Sequence, residues 1–355
     1  MIFSAVKILI PAIAAFVIGI LMTPALTGFM YRKRMWKTSS RSNMNTDAMS
    51  PDFKRIHNEK GETSTPRVGG VLVWLSVMAV ALLLSIISFL FPSEATQKMN
   101  FLSKNQTLLP LVTLLFASLV GLIDDFLQIY GKKLNMSDGM SRKLRILVVL
   151  LIAAAGAWWF YFKLETLSIL VPFYGSFNLG IYFIPFFMAV VVGTFSGSII
   201  DGIDGLAAGV MSAAFSAYMI IAFAHNQIDL AAFCAVIVGG LLAFLWFNIP
   251  PARFYLGETG MLGLTITLAV VAFLTKEIVV LPIIAFPLVI TSLSSSIQMF
   301  SKRHFNKKIF RVAPLHHHFE AAGWPSYKVT MRYWIISIIC AIFGTVIALL
   351  GRTIS

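Results

Sequence analysis

Apolar stretches long enough to cross a lipid bilayer recur along nearly the whole chain, and that pattern limits the fold more than any motif does. A helix needs about 20 mostly apolar residues to span the hydrocarbon layer. Ten stretches approach that length, near 2–30, 68–92, 107–123, 143–162, 179–197, 204–224, 228–247, 259–274, 277–299 and 332–351. Of the 355 residues, 58% are hydrophobic and 12% charged. A soluble domain has roughly twice that share of charge, so a water-soluble core cannot hide this much apolar surface. Lipid offers no hydrogen bonds, so each spanning segment must satisfy its own backbone, which selects helices. A membrane β-barrel would show short alternating segments instead. The expectation is an all-α polytopic membrane protein of about ten transmembrane helices, one integral domain over 1–355. The first stretch is too long for a signal peptide and reads as a retained span. Cys234 and Cys340 both lie in apolar runs, so neither a disulfide framework nor a cysteine zinc site is expected.

Charge orients the spans. Segments 31–67, 124–147, 248–258 and 301–332 carry 22 of the 28 Lys and Arg residues. Such a bias puts these loops in the cytoplasm, and ten spans then leave both termini outside. The net charge of +13 suits membrane lipids with anionic headgroups and phosphate-bearing substrates. The basic segments are short and juxtamembrane, so nucleic acid is not an expected partner. On the opposite side, Thr166–Phe173 reads as a small hairpin. The chain shows no internal repeat and no pair of inverted halves, which argues against a secondary transporter.

Acidic residues gather on the basic side. Asp124-Asp125 follow the third apolar stretch, Asp201-Gly-Ile-Asp204-Gly follows the fifth, and Glu258 opens the eighth. Carboxylates at the membrane boundary are costly unless they face a cavity or a partner. Mg2+ takes one or two carboxylates and fills its other positions with water and phosphate oxygens. Asp201 and Asp204 would share a face if their segment were helical. Three of the six histidines, His316, His317 and His318, sit together in a basic loop on the same side. Imidazole donates hydrogen bonds to phosphate and sugar oxygens and titrates near neutrality. Three neighbours on one loop do not readily bind one ion. Taken singly, each acidic cluster is an ordinary cap or turn; together on one side they form a candidate site.

The motifs resemble those of the polyprenyl-phosphate N-acetylhexosamine-1-phosphate transferases, glycosyltransferase family 4. The resemblance runs through Thr65-Pro66-Arg67-Val68-Gly69-Gly70, Asp124-Asp125, Asp201–Leu206, Phe247-Asn248, Tyr255–Gly260, Ala313–Glu320, Gly323-Trp324-Pro325 and Arg332–Ser337. It implies a homodimer in the bacterial plasma membrane with a cytoplasmic, Mg2+-dependent site. That site would take a UDP-activated amino sugar and undecaprenyl phosphate and release UMP. It implies Glu258, Asp124 and Asp125 at the metal, with one aspartate able to act as base. It implies Lys60, Thr65, Asp201, Asp204, Asn248 and Tyr255 around the nucleotide sugar, and His316–His318 on phosphate or sugar. The triple histidine followed by Gly-Trp-Pro is similar to the branch that transfers phospho-N-acetylmuramoyl-pentapeptide to give lipid I for peptidoglycan.

Four departures from the pattern bear on this reading. Glu258 stands where the family usually has Asp, and Met261 where it has Ser. Phe195–Ile200 lacks the asparagines that precede the family's Asp-Gly. Asp52–His57 is similar to the N-acetylglucosamine-1-phosphate branch. The alternatives are therefore a transferase starting another surface glycan and, in a different class, a non-catalytic transporter or lipid-binding protein.

Overall fold

The computed structural model describes residues 2–36, 64–103, 106–131 and 139–353. Helices follow one another in the order α1 (Ile2–Arg32), α2 (Val71–Leu90), α3 (Glu94–Met99), α4 (Leu108–Tyr130) and α5 (Arg142–Phe162). A hairpin of β1 (Ser168–Val171) and β2 (Gly175–Asn178) comes next. The remaining helices are α6 (Phe183–Ser196), α7 (Leu206–Ala224), α8 (Ile228–Asn248), α9 (Gly257–Leu274), α10 (Leu281–Ile284), α11 (Phe286–Phe305), α12 (Leu315–Ala321) and α13 (Ser326–Thr353). Among the described residues, 9 helices are long and apolar enough to cross a membrane. The chain is a multi-pass membrane protein. Leu9, Leu151 and Ile342 are each more than half exposed, so the outer helices α1, α5 and α13 present apolar surface that lipid, not water, accommodates.

Helix α9 is the centre. Every residue from Thr259 to Phe273 is buried, as expected of a helix that is apolar all round. Its closest neighbour is α4. The buried residues of α4 include Leu114, Ala117, Ser118, Gly121, Asp124, Asp125 and Gln128, a helical stripe facing α9. A Cβ at Gly121 would fall 2.2 Å from the Glu258 carbonyl oxygen. Glycine is what allows this approach, the small-residue packing that lipid-embedded helices favour. Helix α8 packs against α1 and α7, and α13 closes over α7.

Three sequence expectations shift. The third span continues to Tyr130, so Asp124 and Asp125 lie inside a helix rather than after it. The ninth does not run unbroken from 277 to 299: α10 ends at Ile284 and α11 runs from Phe286 to Phe305. Pro282 and Pro287 sit in the first turns of these two helices, where a residue without an N–H is tolerated. Helix α11 has spanning length but carries Ser292, Ser294, Ser295, Ser296 and a basic last turn, and it falls outside the nine. A hairpin is present but lies further along than Thr166–Phe173: Ser168 stands opposite Asn178 and Val171 opposite Gly175, so the expected segment holds only the first strand and the start of the turn.

Candidate active site at the N-terminus of α9

The first N–H groups of a helix have no partner within it. At α9 they are supplied by aspartates from two other segments. Gly257 N–H donates to Asp201 Oδ2 (3.0 Å). Glu258 and Thr259 N–H donate to the two oxygens of Asp125 (3.1 and 2.9 Å). Asp125 is fully buried, so its carboxylate is an inter-helix cap. Asp124, one residue earlier and turned away by about 100°, holds a different segment. It accepts from Met140 N–H (2.5 Å), Gln128 Nε2 (3.1 Å) and Arg145 Nη2 (2.6 Å). Arg145 reaches across with its other nitrogen to Glu258 Oε1 (3.0 Å). One guanidinium thus bridges α4 and α9 from α5.

Residues 201–204 form a turn, not a helix, so Asp201 and Asp204 do not share a helical face. Asp201 turns to α9 and a cavity, while Asp204 Oδ2 accepts from Ala252 N–H (3.0 Å). Burial raises the Asp201 carboxyl to about 6; Arg67 and the Gly257 N–H oppose this, and the Glu258 and Asp204 charges add to it. Asn248 is engaged at both ends of its amide. It accepts from Gly205 N–H (2.8 Å) and donates to the Phe254 carbonyl (2.8 Å), tying two loops together. Tyr255 N–H donates to the Pro66 carbonyl (2.7 Å), so Thr65 and Tyr255 lie on adjacent strands of chain beside the site. Lys60 lies outside the described residues.

The three histidines occupy the short helix α12 rather than a loop. Successive side chains leave a helix about 100° apart, so their surroundings differ. His318 Nδ1 accepts from Arg311 N–H (3.2 Å), away from the carboxylates. His316 is fully buried and packs edge-on against His317, with ring centroids 4.3 Å apart. Both face the Asp201 turn. A Cβ at Gly202 would fall 2.8 Å from Nε2 of each, so glycine lets the turn lie against the imidazoles. His317 Nδ1 lies 2.6 Å from Glu320 Oε2, and Ser326 Oγ donates to Glu320 Oε1 (2.6 Å). An ionised carboxylate only accepts. With Glu320 ionised, His317 donates from Nδ1 to it and presents Nε2 to the Asp201 turn.

These groups converge on a cavity of about 260 Å3 lined by Asp201, Glu258, Arg67, Arg145 and His317. Arg145, Ser198, Ile199, Ala313 and Pro314 also line a second space of about 690 Å3 between α5, α6 and α11. That groove joins an apolar wall, including Val192, Phe195 and Met299, to the cations Arg142, Lys302, Lys308 and Arg311. Sequence reasoning gave no site role to Arg67 or Glu320, though both lie in the resemblance motifs, and it did not single out Arg145. Glu320 had a readable signal, its i,i+3 spacing from His317; Arg145 had only its place in a basic run beside a span.

Among the described residues no three His, Cys, Asp or Glu side chains are grouped to hold a metal alone. The metal set expected from the sequence was Glu258 with Asp124 and Asp125. The cavity wall instead carries Glu258 with Asp201, while Asp124 and Asp125 hold backbone and Arg145. Two carboxylates on one wall suit Mg2+, which draws its remaining ligands from water and phosphate.

The glycosyl transferase family 4 model matches residues 107–276, the stretch that holds Asp124, Asp125, Asp201 and Glu258. The phospho-N-acetylmuramoyl-pentapeptide-transferase of Bacillus subtilis (strain 168) is 32% identical over 339 residues, covering 95% of this chain and 96% of its own. The chain belongs to glycosyl transferase family 4. Proteins of the same name from Geobacillus sp. (strain WCH70) and Bacillus thuringiensis (strain Al Hakam) are 31% and 32% identical, over 94% and 95% of this chain and 95% and 96% of theirs. The family model stops at residue 276, short of the histidine helix, whereas the full-length relatives span it.

Proposed function

We propose that the chain transfers phospho-N-acetylmuramoyl-pentapeptide from its UDP form to undecaprenyl phosphate, giving lipid I and UMP. The observation that carries this reading is the pair of joined spaces. The smaller, lined by carboxylates and arginines, suits a nucleotide-sugar diphosphate; the larger, basic at its rim and apolar along its wall, suits a polyprenyl phosphate. The names of the full-length relatives support the sugar.

In this reaction an oxygen of the lipid phosphate attacks the sugar-bearing phosphorus of the donor. The bond from that phosphorus to the bridging oxygen breaks, and UMP departs with the oxygen. The work is positioning and neutralisation of oxygen charge. Mg2+, held by Glu258 and Asp201, would supply that neutralisation on the diphosphate when bound. Arg145, at the junction of the two spaces, faces both substrates and fixes the Glu258 carboxylate. Arg67 adds positive charge beside Asp201. His317, oriented by Glu320, donates from Nε2 to a phosphate or sugar oxygen when it is protonated. Asp125 holds the first turn of α9 in place, and Asp124 holds Arg145. Neither is assigned a proton to abstract, since the acceptor phosphate is already anionic at neutral pH.

The basic loops support a cytoplasmic position for this end in the plasma membrane, and the family resemblance supports a homodimer. Purified protein, undecaprenyl phosphate and Mg2+ are incubated with UDP-N-acetylmuramoyl-pentapeptide or with UDP-N-acetylglucosamine, and lipid product and UMP are measured. The expected result is product from the first donor. Product from the second donor alone would transfer the reading to a different surface glycan, and no UMP from either would end it.

A further inference from the structure

At the end of the bundle opposite the candidate site lies a separate recess of about 380 Å3. It is lined by Gln106, Lys163, Thr166, Gln227 and Lys276, with Phe160 and Leu274 at its base. Helix α4 has 23 residues, about 34 Å at 1.5 Å per residue. Gln106 precedes its first turn and Asp124 lies in its last two, so nearly a bundle length separates the two sites.

Among the described residues cations are scarce at this end, and those outside the recess have acidic neighbours. Lys7 pairs with Asp229 at 2.5 Å, Lys98 pairs with Glu94, and Arg352 lowers the proton affinity of the buried Glu277. Lys163 and Lys276 have no carboxylate partner among the described residues, and both line the recess. Each also follows a helix C-terminus, where a cation is favoured, so charge at these positions is unremarkable. Their convergence on one polar recess is not explained that way. Gln227 gives an independent signal. Its Nε2 donates to the Leu274 carbonyl (3.0 Å), while its Oε1 is buried with no donor among the described residues. A buried acceptor without a donor costs about 1–3 kcal/mol, so the recess calls for a ligand with a donor as well as an anion. Trp158 and Phe162, both at least half exposed, stand on α5 just before Lys163, as aromatic residues do at a lipid–water boundary.

We propose that this recess binds a phospholipid headgroup that carries a hydrogen-bond donor beyond its phosphate. Lys163 and Lys276 take the phosphodiester oxygens, and Gln227 Oε1 accepts from the headgroup's hydroxyl or ammonium. Phosphatidylglycerol and phosphatidylethanolamine meet both requirements; phosphatidylcholine meets only the first. The acyl chains lie along the apolar outer face of α5.

Full-length protein stripped of lipid in detergent is offered equal amounts of the three lipids, and retained lipid is counted by native mass spectrometry. A parallel arm adds soluble glycerol phosphate. The wild type is expected to retain phosphatidylglycerol or phosphatidylethanolamine about tenfold over phosphatidylcholine, one added hydrogen bond's worth. Lys163→Ala combined with Lys276→Ala should reduce all three to a common background, at an unchanged unfolding midpoint since both side chains are exposed. Gln227→Leu should abolish the preference by lowering phosphatidylglycerol and phosphatidylethanolamine to the phosphatidylcholine level, above the background of the double lysine variant. Equal retention of phosphatidylcholine by the wild type, undiminished binding in the double lysine variant, or displacement by glycerol phosphate at lipid concentration would each overturn the assignment. The last would mark a free-phosphate site instead. No readout depends on transferase activity.

Discussion

The two ends of the bundle provide for buried carboxylates in opposite ways. Around the N-terminus of α9, the carboxylates of Asp124, Asp125, Asp201 and Glu258 are engaged by backbone N–H groups and by Arg145. At the other end Glu277 is fully buried, 3.7 Å from His225, whose imidazole is held neutral by burial. The first arrangement gives each carboxylate a donor and aims two of them at a cavity. The second leaves both Glu277 oxygens without a hydrogen-bond donor among the described residues. The difference shows where the chain has kept anionic groups poised for a ligand and where it has only buried them.

Removing charge at the first end is expected to have the largest effect. Glu258→Gln should lower UMP release by about 1000-fold, the scale of lost charge stabilisation at a phosphoryl site, with the unfolding midpoint in detergent little changed. Activity within tenfold of wild type would detach Glu258 from the chemistry. Asp125→Ala tests the cap and not the cavity. It leaves two N–H groups at the head of α9 without acceptors, and the buried one, on Thr259, costs about 1–3 kcal/mol. A clear fall in midpoint should accompany the loss of activity. Loss of activity at unchanged midpoint would mean that Asp125 acts on substrate after all.

Glu320→Gln comes next. It keeps the size of the side chain but no longer fixes the His317 tautomer. A misplaced donor costs on the order of tenfold to a hundredfold, and that loss should fall on kcat rather than KM. Ser326→Ala, one step further out, should cost less. A Glu320→Gln variant with wild-type kcat and an altered midpoint would make the Ser326–Glu320–His317 chain a packing feature.

Much of this was legible in the residues, and the limits have physical causes. The spans could be read because lipid leaves helices no alternative to long apolar runs. Asp124-Asp125 read as a span's end because charge within a helix is costly; the structure meets that cost with α9 backbone donors contributed from more than 130 residues away, which no local pattern announces. The three histidines were visible as a cluster, but not that one of them lines the cavity, because that depends on Gly202 lying against α12. Asn248 read as a ligand contact because its side chain can both donate and accept; the same versatility lets it tie Gly205 to Phe254. Arg145 was hidden for the opposite reason. It stands among neighbours of like charge at a membrane edge, where positive residues are common whatever their role.

The smallest expected effect belongs to the quiet end. Burial raises Glu277 to about 7 from its ordinary 4.5, with Arg352 opposing. Folding therefore favours its protonated form: the contribution to stability is complete below pH 4.5 and is lost as pH rises through 7. Burial lowers His225 to about 4 from 6.5, the Arg352 charge adding to it. Its contribution is complete above pH 6.5 and is lost as pH falls through 4. The two slopes oppose each other between 4.5 and 6.5, and above 6.5 Glu277 acts alone. In thermal unfolding in detergent, the midpoint should stay nearly level at mildly acidic pH and fall as pH rises from 6.5 to about 7.5. Glu277→Gln should abolish that fall, and His225→Gln should turn the level region into a decline beginning near pH 4.5. A wild-type midpoint that holds constant to about pH 7.5 would mean that Glu277 keeps its charge, and the contrast between the two ends would lose its basis.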